Sequence, residues 1–234
     1  MSTPASFVIP APPQACIAVA GESKAFPVRR IWCVGRNYLE HIREMGNDER
    51  DPPFFFAKHA DMVVADRATI PYPPLTKDFH HEVELVVALK SGGRNIAADK
   101  ALDHVYGYAV GIDLTRRDLQ GAAKKKERPW EIGKSFDHSA PCGALQPAAK
   151  IGHPAKGRIW LSVNGAEKQT GDLGELIWSV PEIIAKLSEQ VTLDAGDIIL
   201  TGTPAGVGPL VPGDKVECGV DGVGTLKVTI DKPE

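Results

Sequence analysis

The sequence predicts an α+β domain in which short strands outnumber a few small helices. Apolar runs of strand length recur along the chain at 31–35, 54–58, 82–89, 105–112, 158–163 and 197–200. Helix signals are confined to short segments at 37–46, 97–104, 115–128 and from 179 onward. The 43% hydrophobic content of the 234 residues is enough for a sizeable core.

The composition of the chain limits the classes of binding partner and the cellular compartment that we expect. A net charge of −3 and a pI of 6.2 argue against wholesale nucleic-acid binding. No apolar run approaches the ~20 residues of a membrane span, and no basic segment followed by an apolar one marks a signal peptide. The four cysteines form no CxxC pair, so we expect reduced thiols in a cytoplasmic protein.

The remaining local patterns predict the frame of the domain. The proline-rich residues 1–30 predict a short extended arm with a strand near 16–19, and one domain is expected over 31–234. Asn-Gly at 164–165 and Asp-Gly at 221–222 predict hairpin turns. Residues 179–182 form a capping box with proline in the first turn, so the helix that follows is expected to have a core role.

The strand at 80–89 carries the first chemical signal. Glu82 and Glu84 are two residues apart, so their side chains point to the same face, and Val86 and Ala88 continue that face into the interior. Two carboxylates at the mouth of a core repel each other, which favours a divalent cation with oxygen ligands. The alternative is an exposed strand face with two unrelated glutamates.

A short helix over 37–46 carries the second signal. Asn37 is a suitable N-cap and Gly46 a suitable end, while His41 and Glu44 are neighbours at i,i+3. A carboxylate beside an imidazole raises its basicity, as a general base requires. The alternative is an exposed pair on a surface helix.

Further candidate groups lie at strand ends and in loops. Lys58 ends one strand, where it could reach a substrate carboxylate or be an ordinary strand-end charge, and Asp113 follows another. The glycine-rich loop 201–208 suits a carboxylate better than a nucleotide, because it lacks the Lys-Ser/Thr of a P-loop. The lysine run at 124–126 reads as a solvated helix face.

Five motifs in order make the chain resemble the fumarylacetoacetate hydrolase family. They are Val-Gly-Arg-Asn-Tyr at 34–38 with His41 and Glu44, Glu-x-Glu at 82–84, Gly-Ile-Asp-Leu-Thr-Arg-Arg-Asp-Leu-Gln at 111–120, Gly-Lys-Ser-Phe-Asp at 133–137 and Thr-Gly-Thr-Pro-Ala-Gly-Val-Gly at 201–208. They run in the family's order, and the resemblance extends over roughly residues 31–230. The sequence departs from the family's usual Lys-Pro at Lys58-His59, and from its frequent Thr-Ala-Arg-Asp at 115–118.

The resemblance implies a mixed β-roll, the fold of the family's C-terminal domain, with small peripheral helices. It also implies a homodimer and a lid helix over 36–46. The implied ligands of Mg²⁺ or Mn²⁺ are Glu82, Glu84 and Asp113. The implied catalytic residues are His41, Glu44 and Lys134. The implied substrate-binding residues are Arg36, Lys58, Thr203 and Gln120.

Within the family the chain looks most like the short acylpyruvate hydrolases. Residues 43–46 and 52–56 are similar to bacterial fumarylpyruvate hydrolases of gentisate breakdown, a route of aromatic catabolism. The implied reaction is cleavage of the C–C bond of a 2,4-dioxo acid by water that the His41–Glu44 pair activates. Lys134 would stabilise the pyruvate enolate beside the metal. Arg43, Arg116 and Lys58 are all candidates to hold a distal substrate carboxylate.

Three other functions remain open on the sequence. One is decarboxylation of a 2-oxo acid such as oxaloacetate, which needs the same enolate but no attacking water. Another is isomerisation (with or without decarboxylation) of an unsaturated oxo-dioate. The third is a non-catalytic ligand-binding domain, although such a domain has no need for a base–carboxylate pair.

Overall fold

A computed structural model describes residues 7–38 and 51–233 of the chain. Its strands are β1 (Cys16–Ile17), β2 (Phe26–Pro27), β3 (Arg30–Gly35), β4 (Phe54–Lys58), β5 (Val63–Val64), β6 (Ala68–Pro71), β7 (Phe79–His81), β8 (Val83–Leu89), β9 (Val105–Ile112), β10 (Thr115–Arg116), β11 (Ala140–Pro141), β12 (Gln146–Pro147), β13 (Arg158–Val163), β14 (Ala166–Asp172), β15 (Asp197–Leu200), β16 (Gly208–Pro209), β17 (Lys215–Val220) and β18 (Gly224–Asp231).

The helices are short. The α-helices of the described residues are α1 (Arg117–Lys125), α2 (Glu131–Lys134), α3 (Ala148–Ile151) and α4 (Val180–Gln190), and 3₁₀ turns lie at Ala60–Met62, Ala98–His104 and Leu173–Glu175. In this part of the chain, no helix has the length and apolar character needed to cross a membrane.

Two larger sheets form the body of the described chain. The first has the strand order β12-β9-β8-β15-β3-β4, and the second has the order β14-β13-β17-β18-β6. Most neighbours are antiparallel, but β15–β3 and β18–β6 are parallel, so both sheets are mixed. Side chains from both sheets, among them Leu85, Leu161 and Leu226, share one core with helix α4. The α+β class and the mixed β-roll expected from the family resemblance are confirmed.

The central strand β8 is buried on both faces. Leu85 and Val87 lie in the core between the sheets. Val86 and Ala88 point the other way, into a second core that includes Ile17 from the N-terminal arm. A strand buried on both faces is expected to read as a continuous apolar run, as residues 85–89 do. The prediction that Val86 and Ala88 continue inward from the glutamates is therefore confirmed.

The predicted strand over 80–89 is divided at Glu82. β7 pairs with β10 and β16 in a small separate sheet, whereas β8 pairs with β9 and β15 in the six-stranded one. The chain thus changes sheets at Glu82, which the sequence prediction of one strand missed. The helix predicted over 115–128 begins only at Arg117, because Thr115 and Arg116 form a strand that pairs with β7.

Local turn and cap signals were reliable. Asn164 and Gly165 have φ values of 53° and 81°, as the two-residue hairpin turn between β13 and β14 requires. The backbone N–H of Ser179 donates to Glu182 Oε2 at 2.9 Å, which closes the predicted capping box of α4. These contacts fix the frame around the site without entering it.

Asn37 was expected to cap a helix over 37–46, most of which lies outside the described residues. Its amide nitrogen donates to the carbonyl oxygens of Thr201 at 2.8 Å and Trp178 at 3.0 Å, and its amide oxygen accepts from the Trp178 N–H at 2.8 Å. The buried side chain of Asn37 is therefore used across the fold, joining the end of β3 to the loop after β15.

Candidate metal and substrate site

Three carboxylates meet where the chain changes sheets. One oxygen each from Glu82, Glu84 and Asp113 lies within 4.8 Å of the others, and all three residues are buried. Asp113 is brought there because β9 pairs with β8, with Val83 opposite Ile112, and its N–H donates to the Glu82 carbonyl at 2.8 Å. The structure thus brings together the three residues expected to hold a metal.

Two cationic side chains neutralise part of this negative charge. Lys134 Nζ donates to Glu82 Oε2, Asp113 Oδ2 and Thr115 Oγ1, each at 2.7 Å. The Arg117 guanidinium donates to Glu82 Oε1. Burial alone would raise the pKa of Glu82, but Lys134 and Arg117 outweigh it and lower that pKa to about 2. Burial likewise disfavours the Lys134 ammonium, yet Asp113 and Glu82 leave the Lys134 pKa raised.

Glu84 has no cationic partner among residues 7–38 and 51–233. It accepts a hydrogen bond from the Gly202 N–H at 2.6 Å. Burial, followed by repulsion from Asp113 and Glu82, raises the pKa of Glu84 well above its ordinary value. In the absence of a cation, Glu84 therefore keeps its proton to a higher pH than an ordinary carboxyl does.

The donor set fits a divalent cation. All three groups offer oxygen, which Mg²⁺ and Mn²⁺ prefer. Asp113 Oδ1 is buried and accepts no hydrogen bond from the described residues, although Lys58 Nζ lies 2.9 Å away. A cation would supply the positive charge that Glu84 lacks, so Glu82, Glu84 and Asp113 could together bind a metal ion.

Lys58 lies behind the carboxylates rather than in front of them. Its Nζ forms the ion pair with Asp113 and donates to the backbone carbonyl oxygens of Leu114, at 3.2 Å, and Lys134. The ion pair and the two hydrogen bonds surround a fully buried ammonium. The predicted contact of Lys58 with substrate is not supported by this position, which makes Lys58 a support for Asp113 and Lys134 instead.

A cavity of about 230 Å³ opens over the carboxylates. Its walls are contributed by the end of β3, by β4, by α1, by α2 with the residue before it, and by the loop after β15. The lining residues are Val34, Gly35, Arg36, Phe56, Glu82, Glu84, Asp113, Arg117, Gln120, Gly121, Lys124, Trp130, Lys134 and Thr203. Three of the four predicted substrate-binding residues, Arg36, Gln120 and Thr203, therefore line the cavity, and Lys58 does not.

Sequence reasoning overlooked two cations of this cavity, Arg117 and Lys124. Arg117 donates to Gln120 Oε1 at 2.6 Å, and the two residues are at i,i+3 on α1. Lys124 continues the same face one turn later. The signal was available, because Gln120 was already a candidate and helical spacing places Arg117 and Lys124 beside it. All three lysines of the run at 124–126 are exposed, as the prediction of a solvated helix face requires, but Lys124 also lines the cavity.

Arg36 and Gly202 occupy backbone positions that the site requires. Arg36 has a φ of 59°, in the left-handed region where a non-glycine residue is unusual, and such residues cluster at functional sites. Gly202 has a φ of 99°, and a Cβ there would lie 2.7 Å from that of Asn37. Only glycine fits, and its N–H is directed at Glu84. The loop 201–208 thus holds a protein carboxylate, where a ligand carboxylate had been expected.

The predicted base–carboxylate pair cannot be placed. His41 and Glu44, with Arg43 and most of the expected lid helix, lie in residues 39–50, outside the described residues. Their roles therefore remain sequence-based predictions.

Comparison with known proteins adds a family and a solved relative. The family model described as fumarylacetoacetate (FAA) hydrolase C-terminal matches residues 30–231. The structure is similar to a fumarylpyruvate hydrolase from Pseudomonas aeruginosa, crystallised with Mn²⁺ and pyruvate. That protein is 46% identical, with a TM-score of 0.95, and the match covers 97% of this chain and 100% of that one.

Curated relatives carry other activities in their names. Oxaloacetate tautomerase FAHD1, mitochondrial, of Homo sapiens is 41% identical over 215 residues, covering 89% of this chain and 97% of the relative. Oxaloacetate decarboxylase, mitochondrial, of Dictyostelium discoideum is 41% identical over 198 residues, covering 84% and 91%. Proteins of this likeness therefore differ in the reaction for which they are named.

We expect Lys58→Met to destabilise the protein by about 1–3 kcal/mol, because the buried Asp113 would lose one of its two cations and two buried carbonyl oxygens would lose their donor. Urea denaturation measures this change. The matched control is Lys186→Met, which removes an exposed ion pair with Glu189 at 3.0 Å and should cost no more than about 1 kcal/mol. Equal effects of the two substitutions would contradict the supporting role of Lys58.

We expect Mn²⁺ to bind more tightly as the pH rises, since Glu84 must lose its proton to become a ligand. The raised pKa of Glu84 means that the ion-free protein keeps this proton at pH values where an ordinary carboxyl has lost it. Calorimetric titration in two buffers of different ionisation enthalpy measures the proton released on binding.

Glu84→Gln should abolish both the binding of Mn²⁺ and the release of the proton. Glu175→Gln is the matched control, because the carboxylate of Glu175 accepts from the Asp172 N–H outside the cavity and should leave both unchanged. An affinity for Mn²⁺ that is constant between about pH 5 and 8 would refute the coupling.

Proposed function

Because this chain belongs to the fumarylacetoacetate hydrolase family, we propose that it hydrolyses the C–C bond of an acylpyruvate. The proposed substrate is fumarylpyruvate, and the products are fumarate and pyruvate. The observation that carries this proposal is the buried carboxylate group at the base of a cavity whose walls hold Arg36, Arg117 and Lys124. Such a cavity suits a dianion that carries a 2-oxo acid at one end.

The metal that we propose, Mg²⁺ or Mn²⁺, would be held by Glu82, Glu84 and Asp113 and would polarise the carbonyl of a 2-oxo acid. Lys134 places a fixed positive charge beside the same carboxylates. Its three hydrogen bonds hold the ammonium in position, so little reorganisation is needed as negative charge develops on an enolate oxygen. Arg36 and the Thr203 hydroxyl would bind carboxylate oxygens of the substrate.

The attacking water requires a base, for which we propose His41 oriented by Glu44. His41 would take a proton from water, and the resulting hydroxide would add to the C4 carbonyl. The C3–C4 bond would then break, releasing the acyl group as a carboxylic acid and pyruvate as its enolate. Protonation of C3 completes the reaction.

The distal carboxylate of fumarylpyruvate needs a cationic partner. Lys58 and Arg116, two of the candidates from the sequence, do not line the cavity, since Lys58 is enclosed and the Arg116 guanidinium stacks 4.3 Å over the Phe136 ring. Lys124, an exposed residue that lines the cavity, is the partner we propose in their place.

The wider context of the enzyme is proposed from the family resemblance alone. We propose a cytoplasmic homodimer that acts in the gentisate branch of aromatic catabolism. The likeness to a bacterial fumarylpyruvate hydrolase supports the reaction class on which this context depends.

The second candidate is a reaction of oxaloacetate. It is supported by the two curated relatives, which are named for tautomerisation and decarboxylation of that compound. Both reactions pass through an enol or enolate of a 2-oxo acid and need no attacking water. The carboxylate group and Lys134 would serve both reactions without the His41–Glu44 pair. Isomerisation of an unsaturated oxo-dioate would likewise need an enolate and no attacking water.

Turnover of a substrate panel separates these functions. We expect fast loss of the diketone-enol absorbance of fumarylpyruvate with Mg²⁺ or Mn²⁺ and none with a chelator, and slower cleavage of acetylpyruvate, which lacks the distal carboxylate. Oxaloacetate is followed in parallel by pyruvate release and by enol absorbance. Activity on oxaloacetate alone would favour the second candidate, and no turnover of any compound would favour a ligand-binding domain.

We expect His41→Ala to lower fumarylpyruvate turnover by about 10²–10⁴-fold, the usual contribution of a general base. Mn²⁺ affinity, measured by calorimetry, should stay unchanged, because His41 is not among the proposed ligands. The matched control is His104→Ala, at a histidine that bonds Ser91 at 2.9 Å and does not line the cavity. Full activity of the His41 variant would exclude the proposed base.

A further inference from the structure

We propose that Gln169 is a positioning residue that holds the Thr203 hydroxyl as a hydrogen-bond donor toward a 2-oxo acid in the cavity. The inference rests on the proposed function for the class of ligand. Gln169 does not line the cavity, and it acts through Thr203, which does.

Gln169 connects the two sheets at the site. It lies on β14, in the five-stranded sheet, and only 1% of its surface is exposed. Its amide oxygen accepts from the Val83 N–H at 3.1 Å and is 2.9 Å from His81 Nδ1. Its amide nitrogen donates to Thr203 Oγ1 at 2.8 Å and to the Pro204 carbonyl at 2.9 Å. All four positions of the amide are therefore used.

These partners leave only one orientation of the amide. The Val83 N–H is solely a donor, so it must face the oxygen of Gln169. The Pro204 carbonyl is solely an acceptor, so it must face the nitrogen. It follows that the Gln169 nitrogen donates to Thr203, and that His81 contributes an N–H at Nδ1.

The direction of the Gln169–Thr203 bond determines what Thr203 can offer. A threonine hydroxyl has one proton to donate, and here its oxygen is already an acceptor. Among the described residues, the Thr203 hydroxyl donates no hydrogen bond of its own, although the residue is largely buried. Because Thr203 lines the cavity, this proton is available to a ligand oxygen there.

The ligand atom that fits is a carboxylate or enolate oxygen. The N–H of Gly202 donates to Glu84, and Thr203 is the next residue in the chain. The Thr203 hydroxyl therefore belongs to the residue directly after the one that contacts the carboxylate group. The carboxylate group and Thr203 line the same cavity, so a 2-oxo acid bound at that group would share the cavity with the Thr203 hydroxyl. A hydroxyl already polarised by Gln169 donates more strongly, because hydrogen bonds in a chain reinforce one another.

Replacement of Gln169 by glutamate reverses the bond. Gln169→Glu keeps the size of the side chain and the oxygen that faces Val83, but the second oxygen would accept the Thr203 proton. Thr203→Val removes the hydroxyl directly at nearly constant volume. We expect each variant to bind pyruvate, in the presence of saturating Mn²⁺, about 10- to 100-fold more weakly, as loss of a hydrogen bond to a charged group predicts.

The double variant tests whether the two residues act through one bond. Gln169→Glu combined with Thr203→Val should bind pyruvate within about twofold of either single variant, since coupled residues give non-additive effects. Thr203→Ser, made as a single substitution, keeps the hydroxyl. This variant should bind pyruvate as tightly as the natural protein does. Thr201→Val is the matched control, because that hydroxyl donates to the Leu85 carbonyl at 3.1 Å outside the cavity, and pyruvate affinity should not change.

Gln169→Met separates positioning from stability. It leaves the Val83 N–H, the His81 N–H and the Pro204 carbonyl without their partner, so it should lower the melting temperature. It frees the Thr203 hydroxyl rather than diverting it, so it should weaken pyruvate binding less than Gln169→Glu. A purely structural role predicts that pyruvate affinity falls in parallel with the melting temperature in Gln169→Met and Gln169→Glu. Such a parallel fall would overturn the proposal.

Other results overturn the proposal independently of the function. Additive losses in the double variant would mean that the Gln169→Glu charge simply repels pyruvate. Unchanged affinity in Thr203→Val, or no binding of pyruvate by the natural protein with Mn²⁺, would remove the proposed ligand contact. Failure of fumarylpyruvate turnover alone would refute the proposed reaction and leave the affinity measurements of Gln169 valid.

Discussion

The mutual repulsion of three buried carboxylates is the constraint around which the described part of the molecule is arranged. Glu82, Glu84 and Asp113 have oxygens within 4.8 Å of one another, and burial makes unpaired charge costly. Lys134 and Arg117 offset the charge of Glu82, and Lys58 and Lys134 that of Asp113. Among the described residues, Glu84 is the one carboxylate of the three without a cationic partner. The negative charge of the group is therefore only partly balanced.

The cations are themselves linked through the backbone. Lys58 binds Asp113 and the carbonyl of Lys134, while the Lys134 side chain binds Asp113 from the other direction. The end of β4, the end of β9 and helix α2 are thereby tied together below the cavity. Lys58, which was predicted to contact the substrate, instead lies below the cavity and supports Asp113 and Lys134.

The sequence predicted the main strands and the carboxylate group, because both leave local signals. β9 and β15 appear as apolar runs, and Glu82 and Glu84 are separated by the period of a strand. The division of the strand at Glu82 left no such signal, because no glycine, proline or other turn residue marks the change of sheet. Lys58 could be placed at the end of β4, but only the tertiary contacts show which way it faces.

Gln169 was missed for a different reason. It lies in β14, whose residues Ala166–Asp172 are mostly polar and exposed, so the stretch reads as surface. Its partners are 86 and 88 residues away at Val83 and His81, and no local pattern reports contacts of that range. Local patterns therefore located the three carboxylates, and only the structure located the amide that contacts the Thr203 hydroxyl.

The change of sheet at Glu82 also bears on the order in which the chain folds. Its neighbours Lys134 and Arg117 come from segments 52 and 35 residues further along, and Gly202 reaches Glu84 from 118 residues away. Loops of this length close late, because their entropy must be offset by contacts that already exist. The pairings that complete the six-stranded sheet, β8 with β9 and with β15, also bring Asp113 and Gly202 to the two glutamates, so we expect the carboxylate group to form together with this sheet and not before it.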